Sequence, residues 1–316
     1  MVGDGTMRSS TKLSLLAAFL CFGFAPPVFG ASLLLEPLPL SAEERAGLRE
    51  SIEKAREADP RPFVAMAQVR EAIPRADARK RGRLAPVSPA LRSMGTEALL
   101  PALELLAFGD PRAVELTEPQ RRALAVGLLE AVGRLRDPRA LPVLGAALES
   151  EETDFSIVRA AAEAMGRVGD DESAKRLAAL SRRDGEKRRP ILAGMGDCRR
   201  SVCVEALAAA LEARPEPAVA KLVVRSLGEA GSSWAWQTPG MRQDEEKTVR
   251  EAGAKALLAA FVRYRGEVRQ AASNELMVVD WPGTAALIAQ AKLGADESTE
   301  AALADLAKRF ARNPAR

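Results

Sequence analysis

Glycines at positions 133, 166, 196 and 228 recur at intervals of 33, 30 and 32 residues, each near the end of an Ala- and Leu-rich stretch. A chain that repeats itself at this period is restricted to architectures in which one small unit is stacked several times. The fullest copy is Ala131-Val-Gly133-Arg-Leu-Arg-Asp137-Pro-Arg-Ala140-Leu-Pro-Val-Leu144. Ala164-Met-Gly166-Arg-Val-Gly-Asp170-Asp171 repeats it, Gly194-Met-Gly196 and Ser226-Leu-Gly228 carry shorter versions, and Leu276-Met277-Val-Val-Asp280-Trp-Pro282 is a degenerate one. An earlier copy runs from Met94-Gly95 to Leu100-Pro101, where Leu-Pro corresponds to Leu141-Pro142.

From about Ser88 onward the apolar residues fall at i, i+3, i+4 and i+7, the period of a helix with one buried face, and no strand alternation interrupts them. The repeat then reads as a first helix, a tight turn and a second helix. The glycine either lets two helices approach closely or lets the chain leave the first helix with positive φ. Asp137, Asp170 and Asp280 are placed to cap the second helix, where a carboxylate accepts free amides and meets the positive end of the helix dipole. Pro138 suits a first helical position, where its missing N–H costs nothing. One such pair cannot bury its own apolar face, so the expected fold is all-α: a solenoid of stacked antiparallel helix pairs.

The spacing and the phrase AVGRLRDPRALPVLGAAL over 131–148 resemble HEAT repeats, specifically the short bacterial kind first described in phycobilisome lyases, over roughly residues 86–295. The resemblance implies stacked antiparallel helix pairs that curve into a solenoid and serve as a protein-binding scaffold; surface recognition is then expected to use second helices on the concave face and side chains of the 229–247 insert at the rim. Enzymatic branches of the family include bilin lyases and a metal-dependent hydroxylase built on His-Glu motifs. The chain has no histidine, so the hydroxylase chemistry is excluded.

Outside the repeats, residues 1–30 read as an export signal. Arg8 and Lys12 precede the uncharged run Leu13–Ala25, which is shorter than the roughly 20 residues of a membrane span. Pro26 and Pro27 end that run, and small residues at Val28 and Gly30 place cleavage after Gly30. Met7 is a second candidate start. No membrane span is expected after cleavage, and the expected compartment is the periplasm. Residues 31–85 read as an N-terminal helical cap, with helices from Ser41 to about Ala58 and from Pro62 to Ile73, the second ending before Pro74. Residues 86–316 form the solenoid, closed by a helix over 297–312.

Without histidine, Ser-His-Asp and Cys-His catalysis, imidazole bases and His-ligated metals are ruled out. With 46 basic against 43 acidic residues, the net charge of +3 gives no strongly cationic arm for nucleic acid. The chain is therefore read as a non-catalytic scaffold with no cofactor or metal and with a protein partner; the alternatives are a HEAT-like lyase- or isomerase-type enzyme and a structural component of an envelope assembly. Its most irregular stretch is 229–247, where Trp234 and Trp236 hold two of the three tryptophans. Long inserts in solenoids are loops on one face and Trp is enriched at interface hot spots, so Trp234, Trp236 and Arg242 are the candidate partner-binding residues. Against that stands a role for the tryptophans as a cover over the groove between helix pairs. Cys198 and Cys203 flank the turn of the third repeat, either as a disulfide or as two buried thiols, with geometry to decide. The basic clusters at 79–83, 182–183, 187–189 and 199–200 either line one edge or are ordinary solvated turns.

Overall fold

The computed structural model describes residue 1, residues 33–238 and residues 243–313. The expected export segment, apart from its first residue, lies outside them, as does Arg242. Among the described residues every regular element is helical.

The chain enters through a strap, residues 33–40, that opens with a turn over 33–36 and whose Leu34 and Leu38 are buried. Leu38 donates its N–H to the Ala107 carbonyl at 2.9 Å, and Asp110 donates to the Leu34 carbonyl at 2.9 Å. The Leu33 N–H reaches the buried Glu152 carboxylate at 3.0 Å, tying the strap to a turn 119 residues away. Helices α1 (Ala42–Ala58) and α2 (Arg61–Ala78) follow. Ser41 and Glu44 form the reciprocal capping box at the start of α1. Pro74 does not end α2, which runs one further turn to Ala78. A helix loses one backbone bond at an internal proline, and here Ile73 before it and Ala76 after it both pack against the core.

The repeats begin with α3 (Ser88–Ser93) and α4 (Leu99–Phe108). Five pairs then follow: α5 (Glu118–Leu135) with α6 (Leu141–Glu149), α7 (Phe155–Val168) with α8 (Asp171–Ser181), α9 (Arg188–Gly194) with α10 (Ser201–Glu212), α11 (Pro217–Gly231) with α12 (Glu246–Arg263), and α13 (Gly266–Val279) with α14 (Thr284–Lys292). Helix α15 (Glu297–Ala311) closes the stack. The fold is an all-α solenoid. First helices α5, α7, α9, α11 and α13 lie side by side in one layer, second helices in the other, and one continuous apolar core runs between them.

The repeated glycines work by close approach. A Cβ on Gly133 would lie 2.6 Å from Ala164 Cα, and one on Gly166 would lie 2.8 Å from the Cys198 backbone nitrogen. At Gly196 and Gly228 the added atom would meet Cβ of Glu229 and of Glu275, each at 2.8 Å. Each of these glycines is therefore a seat for the next repeat, through its first helix or, at Gly166, through the turn that follows that helix. The left-handed turn falls to other residues: Arg136 (φ 53), Gly169 (φ 70) and Asp280 (φ 41). First helices consequently pack more tightly on one another than second helices do.

Two of the three expected aspartate caps form. Asp137 accepts from Arg139 N–H at 2.9 Å, and Asp170 accepts from Ser173 N–H at 2.7 Å at the start of α8. Asp280 instead closes α13 in the left-handed conformation, and Gly283 stands at the N-cap of α14. The degenerate repeat lengthens the turn by the Trp281-Pro282 step, which moves the aspartate out of capping range.

Gly133→Val is expected to destabilise the chain by about 1–3 kcal/mol in urea denaturation, because the side chain overpacks a helix–helix seam. Gly47, with open space around its position in α1, is the control: Gly47→Ala should stabilise by about 0.5–1 kcal/mol.

Candidate binding groove on the first-helix layer

Helix α9 is one turn shorter than its neighbours. Helices α7 and α11 each begin eleven residues before their seat glycines, Gly166 and Gly228, whereas α9 begins eight residues before Gly196. Three residues of helix are about 4.5 Å of rod. The chain before α9 is drawn away from that space: Lys187 donates to the carbonyls of Leu148 (3.0 Å) and Ser150, at the end of α6, and Arg188 donates to the Ser181 carbonyl at 3.2 Å. The first turns of α7, α11 and α13 therefore stand as walls around a gap.

That gap is an open groove of about 650 Å³. Phe155 and Arg159 of α7 form one wall, and Val268 and Glu267 of α13 form the other with Arg265 just before them. Pro217, Ala218, Lys221, Leu222, Arg225 and Glu229 of α11 run along the floor beside Ala193. Phe155 is 41% exposed although it is a large apolar residue. The Ser226 hydroxyl on the floor is satisfied within the protein by the carbonyls of Ala193 (3.4 Å) and Leu222 (3.3 Å).

Charges on this layer fall into two tiers. At the groove, Lys221 pairs with Glu267 at 2.6 Å, and Arg265 is held by the Val262 carbonyl at 2.7 Å and by Thr299 Oγ1 at 3.0 Å. Arg225 is exposed and, among the described residues, makes no hydrogen bond or ion pair. Deeper along the seam, Arg159 pairs with Glu163 at 2.6 Å, Arg167 bridges Glu163 (3.7 Å) and Asp197 (2.7 Å), and Arg199 reaches Asp197 at 3.4 Å. Three seam carboxyls titrate above the ordinary range. Glu275 is pushed up to about 7, first by burial and then by the nearby Glu229 charge, against the pull of Arg225. Burial also raises Glu163 and Glu229, opposed by Arg159.

The insert follows the C-terminal end of α11. Its two tryptophans part company. Trp236 is 2% exposed, and its indole N–H donates to the Ala230 carbonyl at 3.0 Å. It is therefore core rather than surface, which corrects its place among the candidate contact residues. Trp234 is 69% exposed, next to Ser233, whose N–H and hydroxyl both bond to the Val278 carbonyl. The insert also supplies a cap: Glu245 accepts from Ser201 N–H at 2.7 Å at the start of α10. Its carboxylate pairs with the buried Arg200 at 3.1 Å, and Arg200 in turn donates to the Gly169 carbonyl at 2.9 Å. Of the basic clusters, then, 199–200 is spent inside the protein.

Cys198 and Cys203 are both buried and free. The adjoining Cys198 thiol, followed by burial, pushes the Cys203 thiol well up, and Cys203 donates weakly to the Ala174 carbonyl at 3.5 Å. A thiol so placed is a poor nucleophile. Among the described residues no group of three or more Cys, Asp or Glu is arranged to hold a metal ion, and no helix is long and apolar enough to cross a membrane.

Residues 110–196 match the family model for HEAT repeats. The chain carries HEAT-like repeats. The matched stretch covers α5 to α9, the section in which the glycine seats are most regular and at whose end the short helix lies. A comparison with curated proteins found no match. The groove residues Phe155, Lys221, Leu222, Arg225 and Arg265 of this HEAT-like solenoid were absent from the sequence-derived candidates. Their signal was the one short glycine interval, 30 residues between Gly166 and Gly196, where a deletion ahead of the third repeat removes a turn.

Trp236→Ala should cost about 3–5 kcal/mol of stability, while Trp234→Ala should change it by less than about 0.5 kcal/mol; chemical denaturation of both variants checks the split. Glu275 sets a pH dependence. Between the ordinary carboxylate pKa and about 7, the folded chain keeps a proton on Glu275 that the unfolded chain has released. Folding then binds protons, so stability falls as pH rises through that window. Glu275→Gln should remove this decline in denaturation measured from pH 4.5 to 7.5.

Proposed function

We propose that the chain is an exported, non-catalytic scaffold of the phycobilisome-lyase-type HEAT-like kind, and that it binds a protein partner across the first-helix layer. The observation that carries this reading is the open groove left by the missing turn of α9, with the apolar Phe155, Pro217 and Leu222 reachable from solvent beside cationic side chains. HEAT repeats commonly mediate protein interactions, and a broad groove with a partly apolar floor suits a polypeptide surface. Exposed Trp234 offers a second contact at the far end of α11, where a bulky aromatic anchors best. The apolar run before Pro26 supports export, and the near-balanced charge supports a partner other than nucleic acid.

Photo-crosslinking side chains placed singly at Ala218, Trp234 and Glu205 test the reading in cells that produce the chain. The expected result is one defined protein adduct from Ala218, the same adduct from Trp234, and none from Glu205 on the outer face. Equal labelling from all three positions would overturn the scaffold surface. Fractionation and intact-mass measurement test export: the chain should begin at Ala31 in the envelope fraction, and an unprocessed cytoplasmic chain refutes it.

A further inference from the structure

Four cationic side chains reach the groove: Arg159, Lys221, Arg225 and Arg265. Against them stand two carboxylates, Glu267 and Glu229. Glu267 is already bound by Lys221 at 2.6 Å, and burial raises the Glu229 carboxyl, which weakens its claim on a cation. Deeper in the layer, Glu163 and Asp197 are engaged by Arg159, Arg167 and Arg199, and Glu275, on which Arg225 pulls, is raised by burial. Arg225 is thus an exposed guanidinium in mid-floor with no bound partner among the described residues, flanked by Leu222 one turn away and by Pro217 and Phe155 at the groove end. A guanidinium in a partly walled site binds carboxylate bidentately and more strongly than in open water.

We infer that the groove takes an extended acidic peptide segment of a partner, its carboxylates on Arg225 and the neighbouring cations and its apolar side chains on Leu222, Pro217 and Phe155. This rests on the scaffold reading and adds the chemistry of what is bound. The groove crosses from α7 to α13, three helix spacings of about 9 Å each. An extended chain covers such a span in about eight residues. The absent turn of α9 is what leaves room for the peptide backbone, so the same deletion that opens the groove sets the partner's register across it.

Fluorescence anisotropy with the full chain tests this. The probes are an octapeptide alternating Glu with Leu, its Gln counterpart and its Lys counterpart. The Glu peptide should bind at least about tenfold more tightly than the Gln peptide, and its affinity should fall as salt rises. Arg225→Glu should reduce Glu-peptide affinity by about tenfold or more, whereas Arg182→Glu, an exposed cation outside the groove, should leave it unchanged. Three alanines inserted before Arg188 to restore the turn should abolish binding. Because that variant also perturbs packing, the surface substitution Arg225→Glu is the deciding one. Equal binding of the Glu and Gln peptides, or indifference to Arg225→Glu, overturns the inference. If that happens while Ala218 still crosslinks a single protein, the scaffold reading stands and only the acidic occupant is wrong. Loss of both removes both.

Discussion

The distance between neighbouring first helices governs this molecule. Two helices come closest where one presents no side chain, and the seats at Gly133, Gly166, Gly196 and Gly228 leave no space for a Cβ. Packing at that distance brings many weak dispersion contacts into range at once, and it ties every repeat to the next through the same spot. The groove follows from it, because a layer held this tightly cannot close over a missing turn: the seats fix α7, α9 and α11 at their C-terminal ends regardless of how far α9 extends in the other direction.

The seats also arrange the charges. Glu229 and Glu275 belong to the helices that settle onto Gly196 and Gly228, and their side chains are laid over those glycines. This brings carboxyls from successive repeats into one seam, where burial raises them and Arg159, Arg167 and Arg199 offset the cost. Cations further from the seam remain at the surface. The result is a groove reached by four cations and two carboxylates, although the whole chain is close to neutral. A nearly balanced composition can therefore still present a cationic groove.

Much of the architecture could be read directly. The glycine period and the Asp137 and Asp170 caps are local features, and local features are written within a few residues of one another. Pro74 shows where local reading failed, since tertiary packing carried α2 past a residue that by itself ends helices. Asp280 failed for a similar reason, because a longer turn moved it from the start of one helix to the end of another. The pair Trp234 and Trp236 could not be separated by composition. Two residues apart on an irregular segment, they were sorted only when the Trp236 indole found the Ala230 carbonyl inside the core.

The amino-acid sequence by itself determined that this chain is built of stacked helix pairs, because a helical period and a recurring glycine turn leave no other way to bury the apolar faces. It also contained the shortened third interval, but not its meaning. Tertiary structure alone decided which tryptophan is exposed and where the groove opens. Each of these depends on residues far apart in the chain: Phe155, Arg225 and Arg265 meet at one groove only because α7, α11 and α13 are stacked side by side. No pattern confined to a single repeat can specify a surface assembled from four first helices.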